Sequence, residues 1–264
     1  MGGPADTWAL GEAYEPYIGR WSRLVATEFV AWLGVADGAV WLDVGCGTGA
    51  LSRTVLGAAD PALVVGADPS AGFLAHARSQ VGDDRARFTA ADARRLPLGD
   101  ARFDAVVSGL VLNFVPDPAL AVREMTRVAR PGGPVAAYVW DYAGRMELIR
   151  HFWDAAAALD PAAAELDEGR RFGLCQPEPL AHLFRNAGLA EVDVRPIEVP
   201  TRFRDFDDYW GPFLGGQGPA PGYALSLDEP RRAALREELR RRLPFAADGS
   251  IPLVARAWAG RGVS

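Results

Sequence analysis

Ala39-Val40-Trp41-Leu42-Asp43-Val44-Gly45-Cys46-Gly47-Thr48-Gly49 carries the sharpest structural signal in the chain. A short apolar run ends in three glycines, and a helical stretch follows from about Ala50. The run reads as a buried strand, and the glycines permit backbone angles that other residues avoid. A helix that starts from such a loop offers free N–H groups and a partial positive charge to an anion. In an open parallel sheet, ligands usually sit in the crevice at the C-terminal ends of the strands. Gly45, Gly47 and Ala50 also satisfy the looser dinucleotide pattern Gly-x-Gly-x-x-Gly/Ala. Asp43 points elsewhere, because a carboxylate suits a ligand bearing an ammonium group better than a pyrophosphate. Without a ligand, the same residues make a tight strand-to-helix turn.

Outward from this loop, strands and helices alternate. Leu63–Ala67 reads as a second buried strand stopped by Asp68-Pro69-Ser70, and Ser70 can cap the next helix. Ala86–Thr89 is a less apolar third strand before Ala91-Asp92-Ala93. Phe103–Ser108 is a fourth, and Asp117-Pro118 opens a helix with Ala121, Met125 and Val128 on one face. Pro131-Gly132-Gly133-Pro134 is a turn before a fifth strand, Val135–Trp140. Buried strands separated by helices imply a parallel sheet covered on both faces. Beyond it, helices are expected around 145–160 and 177–187, and strands over Glu191–Val199 and Ile251–Trp258. Ser226-Leu227-Asp228-Glu229 resembles a capping box opening a charged helix to about Leu243.

The glycine segment resembles motif I of class I S-adenosylmethionine (SAM)-dependent methyltransferases, and other segments match that family in order. Asp68 stands where the family has an acid that binds both ribose hydroxyls. Asp92 resembles the acid that receives the adenine amino group. Ser108-Gly109-Leu110 matches the backbone beside the methionine portion, and Pro131-Gly132-Gly133 the turn before the fifth strand. The likeness is closest to the small-molecule branch called type 11, or ubiquinone-biosynthesis-like. It covers roughly residues 35–142 and the rest more loosely. It implies a Rossmann-like three-layer α/β sandwich with a seven-stranded, mostly parallel sheet of order 3-2-1-4-5-7-6, strand seven antiparallel. The implied cofactor is SAM, leaving as S-adenosylhomocysteine. Its implied contacts are Asp43, Gly45, Cys46, Gly47, Thr48, Gly49, Asp68, Pro69, Ser70, Asp92, Ala93, Ser108 and Gly109. Read without the family, Asp68 and Asp92 are acids at strand ends that cap the following turns.

SAM is an activated reagent, so catalysis rests mainly on positioning and desolvating the reacting pair. A base is required only where the nucleophile must lose a proton. The catalytic residues stay unknown, with His151 and Asp141 as candidates because they follow the fifth strand. His76 and His182 read as surface or packing residues. The aromatic N-terminal segment Tyr14–Ser22 folds over the cofactor in related enzymes. Tyr17 and Trp21 are then expected to close the site, and Arg20 to pair with the methionine carboxylate. The competing reading is an amphipathic helix on the sheet edge. We expect one domain over residues 1–264, with residues 1–35 a helical cap and 201–250 an insert forming an acceptor lid. Trp140, Phe152, Trp153, Tyr209 and Trp210 are the expected substrate-binding wall, for an apolar or aromatic small acceptor; the alternative for the loop 205–218 is a packed surface loop with its own small core.

The composition narrows the field. The chain has 264 residues, a net charge of −6 and 49% hydrophobic residues, the balance of a globular protein. All 28 basic residues are Arg, which excludes a Walker A lysine, a Schiff base and a Tyr/Lys hydride-transfer pair. The acidic balance argues against a phosphate-backbone binder, and the Arg-rich stretch 231–242 interleaves Glu237 and Glu238 as a solvated face does. Two cysteines make no disulfide scaffold. No leader or bilayer-length apolar run is read, so a cytoplasmic protein is expected, without membrane or metal. The rival functions are a SAM-binding cyclase or isomerase of the same fold, a macromolecule methyltransferase and a nicotinamide oxidoreductase. Ser108-Gly109-Leu110-Val111 lacks the Asn/Asp-Pro-Pro-aromatic motif of amine methylases, and Asp43 with Asp92 disfavours nicotinamide.

Overall fold

The computed structural model describes residues 18–216 and 218–264. In chain order the elements are α1 (Arg20–Leu33), β1 (Val40–Val44), α2 (Ala50–Ala58), β2 (Leu63–Asp68), α3 (Ala71–Gln80), β3 (Ala86–Ala90), β4 (Ala105–Gly109), α4 (Pro118–Val128) and β5 (Pro134–Trp140). They continue with α5 (Glu147–Leu159), α6 (Glu168–Arg171), α7 (Pro177–Asn186), β6 (Ala190–Phe203), α8 (Phe206–Trp210), α9 (Pro219–Ser226), α10 (Glu229–Arg242) and β7 (Ile251–Val263). One seven-stranded sheet runs β3-β2-β1-β4-β5-β7-β6. Strands β1 to β5 pair in parallel, and β7 is antiparallel to β5. The order and the reversed strand are those the resemblance implies.

The chain divides into two compact units. Unit 2 holds Ser22–Trp140, Leu174–Ile197 and Ala257–Ser264; unit 1 holds residues 18–21, Asp141–Gly173 and Glu198–Arg256. The division falls inside α1, β6 and β7. Each unit has its own apolar interior. In unit 2, Trp41, Leu42, Val106, Val107 and Val135 are sealed between the layers. In unit 1, Phe152 stacks on Phe213 at 4.5 Å, and Phe203 meets Tyr209 edge-on at 5.3 Å. The Tyr209 hydroxyl donates to the Leu148 carbonyl at 3.0 Å, so its polar end is satisfied where the ring is buried.

Local chemistry starts the helices. Ser70 Oγ accepts from the Phe73 amide at 3.3 Å, and Asp117 Oδ1 from the Leu120 amide at 2.9 Å ahead of Pro118. The capping box expected at Ser226 is corrected. Ser226 Oγ instead donates to the Tyr223 carbonyl at 2.8 Å, closing α9. The N-cap of α10 is Asp228, whose Oδ1 accepts from the Arg231 amide at 2.9 Å. Pro230 favours this register, since it lacks the N–H that a first-turn position leaves unbonded anyway. Asp228→Ala should therefore cost about 1 kcal/mol of stability in urea unfolding, whereas Ser226→Ala should stay within about 0.5 kcal/mol of the parent.

Candidate functional site

The glycine loop turns between β1 and α2 by left-handed steps. Gly45, Gly47 and Gly49 have φ of +74°, +52° and +85°. A side chain at Gly45 would also meet Val111 Cγ1 at 2.5 Å. The loop is tied to the end of β2: the Gly45 and Cys46 amides donate to the Ala67 carbonyl at 2.7 and 3.1 Å. The Gly47 amide donates to Asp68 Oδ2 at 3.0 Å, and the Ser70 amide to Asp68 Oδ1 at 2.8 Å. Each carboxylate oxygen has a second lone pair, so Asp68 keeps capacity for two hydroxyl donors. Burial pushes its carboxyl above the usual range, opposed by these two amides.

Asp43 lies one strand over and is 1% exposed. Ser52 Oγ donates to its Oδ2 at 2.7 Å, while Oδ1 is buried with no partner. Burial raises its carboxyl to about 7. A buried carboxylate oxygen lacking a donor, beside a loop of glycine amides, is a ready partner for an ammonium group. Ser108 Oγ donates to the Val44 carbonyl at 2.8 Å, so this hydroxyl is spent on joining β4 to β1. Leu110, just past β4, holds φ +62°, a strained angle for a residue with a side chain. All of these residues belong to unit 2, and they fit a cofactor that carries an ammonium group and a vicinal diol.

The remaining expected cofactor residues divide. Thr48, Pro69 and Ala93 lie on the turns at these strand ends. Cys46 is 6% exposed, and burial raises its thiol far out of the reactive range. Asp92 follows β3, and its carboxylate is bracketed by Arg94, with Nη2 to Oδ2 at 2.6 Å. That arginine holds the exposed Asp92 carboxyl down at about 2, fully ionised at neutral pH. Arg20 and Trp21 lie in unit 1, where Arg20 Nη1 donates to Asp208 Oδ1 at 3.2 Å. Tyr17, with the residues from Tyr14 up to it, and Gln217 lie outside the described residues.

The acceptor-side residues are placed as follows. Asp141 is braced by its neighbours: Oδ1 accepts from the Gly144 amide, and Oδ2 from the Arg145 amide and Arg256 Nε at 2.7 Å. It is the brace of a turn. His151 is half-buried on α5, and burial lowers its pKa, leaving a neutral imidazole at pH 7. His182 is exposed and His76 intermediate, as surface positions. Phe152, Trp153, Tyr209 and Trp210 are at most 6% exposed in unit 1, and Trp140 is 2% exposed in unit 2. Each such ring buries a large apolar area, and the structure spends that area on core packing. Glu168 is a charged group that the sequence reading passed over. It is 2% exposed, accepts from Trp153 Nε1, and burial raises its carboxyl to about 7. Its signal was an acidic residue in an Ala-rich, otherwise unremarkable stretch.

Unit 2 also has a cavity of about 730 Å³ at the opposite, N-terminal ends of β1 and β5. Its Arg130 is paired to Asp104 and its Arg261 to the Trp32 carbonyl, so its cations are already engaged. Among the described residues, no group of His, Cys, Asp and Glu is arranged to hold a metal ion.

The raised carboxyl of Asp43 has a pH consequence. The folded state holds the proton more tightly than the unfolded chain. Its contribution is therefore complete below pH 3.8 and is lost as pH rises through about 7. At 1.36 kcal/mol per pH unit, that loss is on the order of 4 kcal/mol. Asp43→Asn should flatten the fall in urea-unfolding stability between pH 5 and pH 8; an unchanged slope would reject the assignment.

Comparison with known proteins identifies the family. A methyltransferase-domain family model matches residues 42–137, from β1 to β5. Demethylmenaquinone methyltransferase of Roseiflexus sp. (strain RS-1) is 35% identical over 170 residues, covering 59% of this chain and 70% of that protein. A putative methyltransferase from Bacillus halodurans has the same fold, with a TM-score of 0.59 at 15% identity over 90% of this chain and 97% of that one. So does phosphoethanolamine N-methyltransferase 2 of Haemonchus contortus in complex with SAM, with a TM-score of 0.60 at 17% identity over 96% of this chain and 56% of that one. The chain belongs to the class I SAM-dependent methyltransferases.

Proposed function

We propose that the glycine loop, Asp43 and Asp68 hold SAM for methyl transfer to O, N or C of a small organic acceptor. The observation that carries this reading is the convergence at the ends of β1 and β2 of loop amides, a carboxylate with open lone pairs and a buried, half-partnered carboxylate. When bound, the cofactor supplies a methyl group already activated on a sulfonium sulfur. The chain's part is to bind, orient and exclude water. Asp68 takes the ribose hydroxyls, with Pro69 and Ser70 shaping its turn, and ionised Asp92 with Ala93 takes the adenine edge. Asp43 answers the ammonium group. Ser108 and Gly109 line the methionine portion by main chain, because the Ser108 hydroxyl is committed elsewhere.

Where the acceptor must lose a proton, His151 is the better of the two candidates, being neutral and half-buried while Asp141 is ion-paired to Arg256. The acidic balance and the paired arginines of α10 support a small acceptor over nucleic acid. No helix among the described residues is long and apolar enough to cross a membrane. That, with a chain free of a disulfide pattern, supports a cytoplasmic enzyme. The relative's name points to a quinone-like acceptor for that protein; an apolar aromatic acceptor is the reading we extend here.

Asp68→Ala should weaken S-adenosylhomocysteine binding by 10-fold or more in calorimetry, since each charge-assisted bond is worth about 1.5–3 kcal/mol. Unchanged affinity would overturn the ribose assignment. Transfer of a labelled SAM methyl group to a member of a panel of phenols, amines, quinones and isoprenoid acids tests the reaction itself.

A further inference from the structure

Two consecutive acids fasten the short helix α6 to α5, and they do so by different chemistry. Asp167 caps α6, its Oδ1 accepting from the Gly169 amide at 2.8 Å. Arg150 on α5 grips the same carboxylate, with Nη1 to Oδ1 at 2.8 Å and Nη2 to Oδ2 at 2.9 Å. Such a bidentate, charge-assisted pair is the strong kind. Glu168, the next residue, turns into the core of unit 1 and is 2% exposed. Its carboxyl takes the indole N–H of Trp153, whose ring has Phe152 at 5.2 Å and Tyr223 at 5.6 Å.

The seat of α6 is close-fitting. A side chain at Gly169 would meet Arg150 Nη1 at 2.8 Å and the Ala143 Cα at 2.9 Å, and Phe172 packs on Tyr142 with ring centroids 5.6 Å apart. In that seat a protonated Glu168 is a small polar group with a hydrogen bond. Ionised, it is a buried charge facing a neutral donor, which is costly. Docking of α6 and ionisation of Glu168 therefore compete. The docked state holds the proton more tightly than the released segment would. Docking is then complete below the ordinary carboxylate range and weakens as pH rises through about 7.

The surrounding charges do not cancel this. Asp167 opposes ionisation of Glu168 and Arg171 favours it, and both count for less than burial. On α5, Arg150 is engaged by Asp154 and Asp167. Glu165, in the 3-10 turn Pro161–Leu166, is exposed and lies 3.6 Å from Arg170. Burial pushes the Tyr223 phenol of α9 above its ordinary range, so it stays neutral. His151 stands about 200° around α5 from Trp153, with Glu147, Asp154, Arg150 and Arg242 as its charged neighbours.

We propose that Glu168 is a proton-operated latch: protonated, it fastens Pro161–Arg171 to α5, and ionised, it releases that segment and bares Trp153. The proton passes to solvent on release, and the Arg150–Asp167 pair keeps the segment tethered. Every group in the latch lies in unit 1 and none is assigned to SAM, so the latch stands or falls apart from the methyltransferase reading.

Fluorine NMR of the full chain, grown with 5-fluorotryptophan, reads the latch at Trp153, whose signal is identified by its loss in Trp153→Phe. The expected result is a Trp153 signal that titrates with a midpoint near the raised carboxyl value of about 7. Glu168→Gln should hold that signal at its acid position throughout, and His151→Gln should leave the titration in place. Trypsin gives a second reading, since Arg170 and Arg171 end the latched segment. Cleavage there should be about equal in parent and Glu168→Gln at about pH 6, and at least about 5-fold faster in the parent at about pH 8.5. Taking the ratio at each pH removes the protease's own pH dependence. A Trp153 signal that does not titrate would overturn the latch. So would a titration that survives Glu168→Gln or vanishes in His151→Gln, or a cleavage ratio that stays level. If Glu168→Gln fails to fold, the parent and His151→Gln still decide, because a missing or imidazole-borne titration rejects the latch.

Discussion

The chain's chemistry depends on how the loop after β1 is tied to the end of β2. Two successive amides, Gly45 and Cys46, share the Ala67 carbonyl, and the next amide, Gly47, reaches the Asp68 carboxylate. No residue with a side chain adopts three nearby left-handed angles cheaply, so the glycines are the condition for this lacing. The lacing also spends one lone pair on each Asp68 oxygen and thereby aims the others. Fold and site are thus one constraint. The turn that lets β1 enter α2 is the same turn that orients the acid of β2.

Charge in this molecule is handled entirely through guanidinium groups. A guanidinium stacks on aromatic faces while its edges pair, which an ammonium does poorly. Arg195 and Arg261 lie 4.5 and 4.8 Å from the Trp32 centroid, and Arg240 lies 4.3 Å from that of Phe206. The two strongly raised carboxyls, Asp43 and Glu168, are where this pairing stops. Each is buried and receives a neutral donor, Ser52 or Trp153, in place of an arginine. A neutral donor offsets little of the desolvation cost, so both carboxyls are raised to about 7. One lies beside the glycine loop and the other in the core of unit 1, so the same physics yields a candidate ligand partner in one place and a packing element in the other.

What the sequence made legible was local. The glycine loop, the Asp117-Pro118 start and the apolar runs of β1, β2, β4 and β5 each carry their signal within a few residues. The last two strands were read too short because their breakers have non-local reasons to be there. Pro196 and Pro200 lie inside β6, which stands at the edge of the sheet, where a missing ladder N–H is tolerated. Gly260 and Gly262 lie inside β7, and side chains there would press on Leu180 and Phe184 at 3.2–3.3 Å and on Leu189 at 2.8 Å. Those glycines let α7 and the chain after it approach the strand. The aromatic residues of unit 1 were legible as a cluster, with a ligand wall and a small packed core both open. Phe152 and Phe213 are far apart in sequence, and only long-range pairing decides whether a ring faces a ligand or another ring.

The distribution of titratable groups fits a reaction governed by alignment. A residue serving as a base must be free to take a proton, and Asp141, which follows β5 directly, is ion-paired to Arg256 and braces two amides. His151 retains a neutral imidazole because burial outweighs the pull of Glu147 and Asp154. It is therefore able to take a proton but is a poor stabiliser of negative charge. An acceptor that reaches its reactive form in water, such as an amine or an acidic oxygen, needs nothing from either residue. Where no proton must be taken, alignment of the reacting pair is what the chain has to supply.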